Sequence, residues 1–293
     1  YLRDNENLTS EMQLLAESLN NQLSGDFKFV VCDEKQKTKY KKLLHLLKND
    51  DSAYFLSIDI DMSTDIKVML DFVSDMLKSQ ADIGWGQIRS QKKYSFVSTI
   101  ISIDKLVSHT IIRPFLWKAG IGISIPGQCF WIKRSTFADK LPSEIDTFLD
   151  DLALGLYINQ HKISATISKK VLGYEIPNIT CTGLWKQRTR WATGYASLLV
   201  GANNFDARLK IILHGIAYHG LWIVHLILCV FFFHLGAFVF LAYILVSALF
   251  IVKNSIYLLV PAIVYPFFMA FFHVQWFISL QTELKRSKNG NRC

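Results

Sequence analysis

The chain has 293 residues, 51% of them apolar, which is enough to bury a core in one large domain or two modest ones and excludes a disordered polymer. Its formal charge of +8 comes with no recognised nucleic-acid reader motif, so the excess Lys and Arg is assigned to segments beside a membrane and not to a nucleic-acid partner. Five scattered cysteines without a Cys-x-x-Cys pair (Cys32, Cys129, Cys181, Cys229, Cys293) argue against a zinc site or a disulfide framework and fit a reducing setting.

Leu8 to Leu23 has the period of an amphipathic helix, and after Gly25 the run Phe27 to Val31 reads as a strand stopping at Cys32-Asp33-Glu34. The run Lys35, Lys37, Lys39, Lys41 and Lys42 reads as a solvated basic face or as a basic approach to a phosphate group. Lys41 to Lys48 looks helical, Ala53 to Ile58 is a second strand ending in Asp59-Ile60-Asp61, and Ile66 to Lys78 resumes a helical period. Gly84 to Ile88 and Cys129 to Lys133 are weaker strands, while Phe148 to Gln160 and Leu184 to Val200 are predicted helices. This alternation predicts an α/β fold with a mainly parallel sheet, in which ligands bind beyond the carboxyl ends of the strands. The opening Tyr1-Leu2-Arg3, with no Met and no strand before it, suggests that upstream residues are missing.

From Ile211 to Leu280 the only formally charged side chain is Lys253. A bilayer core of roughly 30 Å takes about 20 apolar helical residues, so Ile211 to Phe233, His234 to Val252 and Ser255 to Leu280 predict two or three spans. Residues 1–200 are thus expected as one domain, 208–283 as a transmembrane region and 284–293 as a basic tail. Lys285, Arg286, Lys288 and Arg292 prefer the cytoplasm, which calls for an even number of spans if the first domain is cytoplasmic too. His214, His219, His225, His234 and His273 are not paired at helical spacing and read as polar groups facing a bundle interior, not as cofactor ligands.

Three constellations carry chemistry. Asp59-Ile60-Asp61 sets two carboxylates on one side of an extended segment leaving a strand, suited to a divalent cation sharing phosphate oxygens, or else simply a solvated turn. Asp150-Asp151 opens a predicted helix, where the acids either favour its positive end or supply a general base for an acceptor hydroxyl. Gln187, Arg190 and Trp191 share one helical face, which suits a diphosphate and a sugar ring, or equally a membrane interface.

Together, in order and spacing, these motifs resemble family 2 glycosyltransferases, in the branch of the cellulose, chitin, hyaluronan and poly-N-acetylglucosamine synthases. The resemblance runs from about Asp4 to Leu199 and includes Asn5-Glu6, Leu8, Ser18-Leu19 and Gln22; Val30-Val31-Cys32-Asp33; Gly127-Gln128-Cys129 with Lys133-Arg134; Asp150-Asp151-Leu152-Ala153-Leu154-Gly155; and, after Pro177, Gln187-Arg188-Thr189-Arg190-Trp191. It implies a GT-A domain followed by transmembrane helices, in a bacterial inner or plasma membrane, with catalysis on the cytoplasmic face.

It further implies that Asp33, Asp59, Asp61, Gln187, Arg190 and Trp191 bind a nucleotide-diphospho-sugar, with Asp61 reaching an Mg²⁺ or Mn²⁺ ion and its diphosphate and Asp59 nearer the nucleotide. Asp151 is the implied base, and Gly127, Gln128 and Trp191 face the acceptor, a growing polysaccharide or a lipid. The chain departs from the pattern in Cys32 for the first uridine-motif Asp, in Asp150 for the usual Glu, in a short Asp33 to Asp59 spacing, and in only a faint Gly-Lys loop at Thr38-Lys39. Two rivals are a catalytically inactive scaffold and a transport or anchoring protein; whether a nucleotide sugar is consumed separates them.

Overall fold

The computed structural model describes residues 10–22, 38–59, 61–91, 95–138, 140–141, 149–252 and 258–288. In chain order the elements are α1 (Ser10–Gln22), α2 (Lys39–Asn49), β1 (Tyr54–Ile58), β2 (Met62–Ser63), α3 (Ile66–Ser79), β3 (Ile83–Ser90) and α4 (Phe96–Val107). A π-helical turn, Ser108–Ile112, leads into α5 (Arg113–Lys118), then β4 (Cys129–Lys133), α6 (Arg134–Phe137), α7 (Asp150–Gln160), β5 (Ala165–Glu175) and α8 (Cys181–Gly201). A second π-helical turn, Ile216–Gly220, joins α9 (Phe205–Gly215) to α10 (Leu221–Phe231), before α11 (Phe233–Val252) and α12 (Leu259–Lys288). They form two compact units, Tyr1–Arg89 with Ile123–Ile176 and Ser90–Gly122 with Pro177–Cys293.

The first unit is a mixed α/β layer. Among the described residues five strands make one sheet in the order β1-β4-β3-β5-β2. Among the described residues the expected mainly parallel sheet is corrected where β1 with β4, β3 with β4 and β2 with β5 pair antiparallel. A five-residue apolar run reads the same in either direction, so direction is decided by where the connecting loop delivers the strand. The Gly127-Gln128 loop feeds β4 in beside the end of β1, with Ile58 opposite Cys129.

Local chemistry fixes the helices that flank this sheet. The Asp65 carboxylate accepts from the Val68 amide to start α3, and Gln80 ends it in the left-handed region at φ 49°. Between them Met69, Phe72, Val73 and Met76 recur at helical spacing and are buried in a core shared with Leu15, Leu19, Trp131 and Leu172. The predicted strand at Phe27 to Val31, the basic residues Lys35 and Lys37, and the motif residues Asn5, Glu6, Leu8, Cys32 and Asp33 lie outside the described residues.

The second unit is helical. Its α4, α11 and α12 share a core of Ile100, Ile103, Leu106, Ala248, Ile251, Ala262, Tyr265 and Met269. Among the described residues one helical stretch, Leu259–Arg286 with 28 residues, is long and apolar enough to cross a membrane. Phe232 closes α10 with its amide on the Leu228 carbonyl, directly ahead of α11. Sequence periodicity passed over β5, α4 and α5. The alternation of β5 is blurred because most of its side chains are half-buried on both faces.

Candidate active site

The site of the first unit grows from the carboxyl end of β1. Asp59 follows that strand directly, and its amide donates to the Gln128 carbonyl at 2.8 Å, tying the acidic turn to the loop that starts β4. The chain does not stay extended through the acids, as the sequence led one to expect. The Met62 amide donates to the Asp59 carbonyl at 3.1 Å, a three-residue return that lets Met62 begin β2. Asp61 is exposed on that turn.

Lys39 stands at the centre. Thr38 caps α2 by accepting from the Lys41 amide at 3.3 Å, which sets Lys39 as the first helical residue. The Lys39 ammonium donates to Asp59 Oδ1 at 2.5 Å and to the Gly127 carbonyl at 2.5 Å, and lies 4.0 Å from Asp150 Oδ2. The basic run is therefore not a solvated face throughout: Lys42 is buried as well, while Lys39 is drawn inward by carboxylates. Burial alone would lower the Lys39 pKa, but Asp150, Asp59 and Asp151 together hold it above its ordinary value. Three lysines in the first turn of α2 oppose the helix dipole, a local conflict that tertiary carboxylates relieve at Lys39.

The other wall is the start of α7. Asp150 is buried, and burial pushes its carboxyl up to about 7 against the pull of Lys39, with Asp151 and Asp59 adding to the rise. Asp151 is half-buried, and its Oδ1 accepts from the Leu152 amide at 2.9 Å. A methyl on Gly127 would touch Asp151, 3.3 Å from its Cβ, so a residue without a side chain lets the loop lie against this carboxylate. One helical turn on, a methyl on Gly155 would collide with the Ile123 carbonyl oxygen, which explains why α7 can pack so close to the segment leading to the loop.

Of the predicted site residues, Asp59, Gly127 and Asp151 are brought together around Lys39. Gln128 is there too, but its side-chain amide donates to Glu175 Oε2 at 2.8 Å, at the end of β5. Lys133-Arg134, matched above to the acceptor side, sit at the opposite end of β4, about 17 Å along the strand. There Arg134 Nε donates to the Leu47 carbonyl at 3.0 Å and Lys133 lies 4.0 Å from Asp82, both fastening contacts. Burial pushes the Cys129 thiol up to about 12, leaving it inert beside the site.

Gln187, Arg190 and Trp191 lie on α8 of the second unit, Arg190 exposed and the other two half-buried. The structure adds Arg188, which the motif does not specify. Its guanidinium covers the Trp191 ring at 4.4 Å and donates to Asp104 Oδ2 at 2.5 Å, while the Tyr265 hydroxyl donates to Asp104 Oδ1 at 2.8 Å. Gln275 Nε2 donates to Thr189 Oγ1 at 2.7 Å, so α8 is fixed to both α4 and α12. The spacing Arg188 to Trp191 was a visible signal for the ring contact; Asp104, on an unpredicted helix, had none. Among the histidines, His219 Nδ1 lies 3.1 Å from His273 Nδ1 and stacks on Trp276 at 4.1 Å, so these groups meet one another.

A model of the family described as glycosyl transferase family group 2 matches residues 54–273. The chain belongs to that family. Two curated relatives, both poly-β-1,6-N-acetyl-D-glucosamine synthases of Staphylococcus epidermidis, are each 26% identical over 176 residues, covering 60% of this chain. The match covers 42% of the length of each synthase. Among solved structures, the mannosyltransferase PcManGT from Pyrobaculum calidifontis, in complex with GDP-Man and Mn²⁺, is 11% identical with a TM-score of 0.47, covering 96% of this chain and 76% of its own. S. aureus TarS 1-349 is 11% identical with a TM-score of 0.39, covering 98% and 81%.

The family 2 chain offers a divalent cation hard oxygen donors at one turn, Asp59 and the exposed Asp61. Among the described residues no group of three or more His, Cys, Asp or Glu side chains forms a cage. Mg²⁺ typically takes one or two carboxylates and leaves the remaining positions to water and phosphate, so this donor set fits such an ion.

Proposed function

We propose that this family 2 chain is a GT-A-like, membrane-bound inverting glycosyltransferase that moves a sugar from a nucleotide-diphospho-sugar, a UDP-sugar by the motif resemblance, onto a growing polysaccharide at the cytoplasmic face. The observation that carries it is the meeting of the Asp59–Asp61 turn, the Gly127 loop and Asp151 around a single lysine. The relatives' polysaccharide synthesis and the long apolar helix support the acceptor class and the membrane setting.

In this reading Asp151 is the base. Its Oδ1 accepts from the Leu152 amide, which helps to orient the carboxylate that takes the acceptor's proton. Gly127, having no side chain, leaves room beside that carboxylate. Asp61, with Asp59 beside it, would hold Mg²⁺ or Mn²⁺, which would supply positive charge for a diphosphate leaving group. Gln187, Arg190 and Trp191 bind the diphosphate and the sugar, Arg190 by its fork of donors and Trp191 by stacking. Asp33 contributes to the nucleotide, and Gln128 to the acceptor side through its loop. A single displacement opposite the leaving group inverts the anomeric configuration.

The test is release of nucleoside diphosphate from membranes carrying the protein, with a panel of UDP- and GDP-sugars and Mg²⁺ or Mn²⁺, beside Asp151→Asn. Release with one donor, absent in the variant, is expected, with a β-linked product from an α-linked donor. A retained α-linkage sinks the displacement, and no release with any donor sinks the transferase.

A further inference from the structure

We infer that Lys39 is a positioning residue that serves as the internal counter-cation of Asp59, which weakens Asp59 beside Asp61 as a direct ligand of the divalent cation. The inference rests on reading the Asp59–Asp61 turn as the cation site of a sugar transferase. Its observations are independent of that reading. The ammonium bridges Asp59 Oδ1 and the Gly127 carbonyl, each at 2.5 Å, whereas Asp61 is exposed two residues further on.

An oxygen that accepts a charge-assisted hydrogen bond at such a distance is a poor ligand for a metal, because ammonium and cation repel and compete for the same lone pairs. The position of Lys39 is built rather than incidental. Thr38 caps the helix that carries it, Asp150 lies 4.0 Å away on the far side, and the Phe130 ring stands 5.8 Å beneath. The lysine thereby joins three separate segments: the acidic turn after β1, the loop before β4 and the start of α7. Removing its charge frees Asp59 and leaves the surrounding carboxylates unbalanced, so a small cation gains a second ligand and a more negative setting.

The experiment measures Mn²⁺ affinity of the full chain in detergent, without donor or acceptor, by the loss of the free-ion electron paramagnetic resonance signal. Lys39→Met is expected to bind Mn²⁺ about tenfold more tightly than wild type, and Lys39→Arg, which restores the charge, within about threefold of wild type. Equal or weaker binding by Lys39→Met, or no Mn²⁺ binding by either protein, overturns the inference.

Should Lys39→Met fail to fold, Asp59→Asn and Asp61→Asn decide the matter. Asp61→Asn is expected to cost more than about tenfold and Asp59→Asn less than about threefold; equal losses overturn the inference. No sugar is transferred in this assay, so failure of the transferase reading and failure of the Lys39 inference appear in different measurements.

Discussion

The two units both bury charge, but in opposite proportions. In the helical unit one guanidinium meets one carboxylate: Arg188 and Asp104 lie 2.5 Å apart, with the second Asp104 oxygen taken by Tyr265. Burial would raise the Asp104 carboxyl, yet Arg188 and its other partners hold it below the ordinary range. In the α/β unit one ammonium serves three carboxylates, Asp59, Asp150 and Asp151, and Asp150 is pushed up to about 7. A balanced pair fastens helices, whereas an unbalanced cluster at a strand end retains charge for a proton or a ligand, which is where perturbed acids are expected in an enzyme.

The sharpest way to break this comparison is to remove one acid from the unbalanced side. Asp151→Asn should lower transfer about 10³-fold while nucleoside diphosphate binding, read by calorimetry, changes little. Equal loss of both would make Asp151 structural and erase the distinction between the units. On the balanced side, Arg188→Met leaves half-buried Asp104 without its counter-charge and should cost up to about 3 kcal/mol in unfolding free energy. The double variant Arg188→Met/Asp104→Leu should recover most of that loss, because neither charge is then stranded.

Smaller effects sharpen the picture. Gly155→Ala presses a methyl on the Ile123 carbonyl and should destabilise by about 1–3 kcal/mol in chemical denaturation, with transfer reduced by displacement of α7. For Asp150 the folded pKa lies above the unfolded carboxyl value, so its contribution to stability is full below about pH 4 and is lost as pH rises through about 7. Asp150→Asn should therefore gain in melting temperature relative to wild type between pH 5 and pH 8. A difference that stays constant with pH would remove Asp150 from the unbalanced cluster. In single-cysteine variants, Cys181 should react with maleimide at pH 8 while buried Cys129 stays unmodified until unfolding.

The sequence marked much of this site because its residues sit at element ends, where pattern and chemistry coincide. Asp59 closes an apolar run, Asp151 opens a periodic one, and both fall where such positions predict, so a reading by periodicity reached them. Lys39 was reached only as the faint Gly-Lys echo at Thr38-Lys39: within five basic residues no period marks the one that meets the acids, and Asp59, Gly127 and Asp150 are 20, 88 and 111 positions away along the chain. Strand direction escaped, since an apolar pentapeptide carries no sign of its partner's orientation. The acidic triplet was read as extended because alternation extends a strand in thought; the hydrogen bond from Met62 back to Asp59 bends it instead.

By itself, then, the sequence determined α2, α3, α7 and α8 and the strands β1, β3 and β4, and where the chain turns strongly apolar, because period and composition are local properties. Tertiary structure alone decided that β1 and β3 pair antiparallel with β4, that Lys39 joins the acids, and that Arg188 and Asp104 lock the motif helix, because each depends on a long-range meeting whose energy no local pattern records.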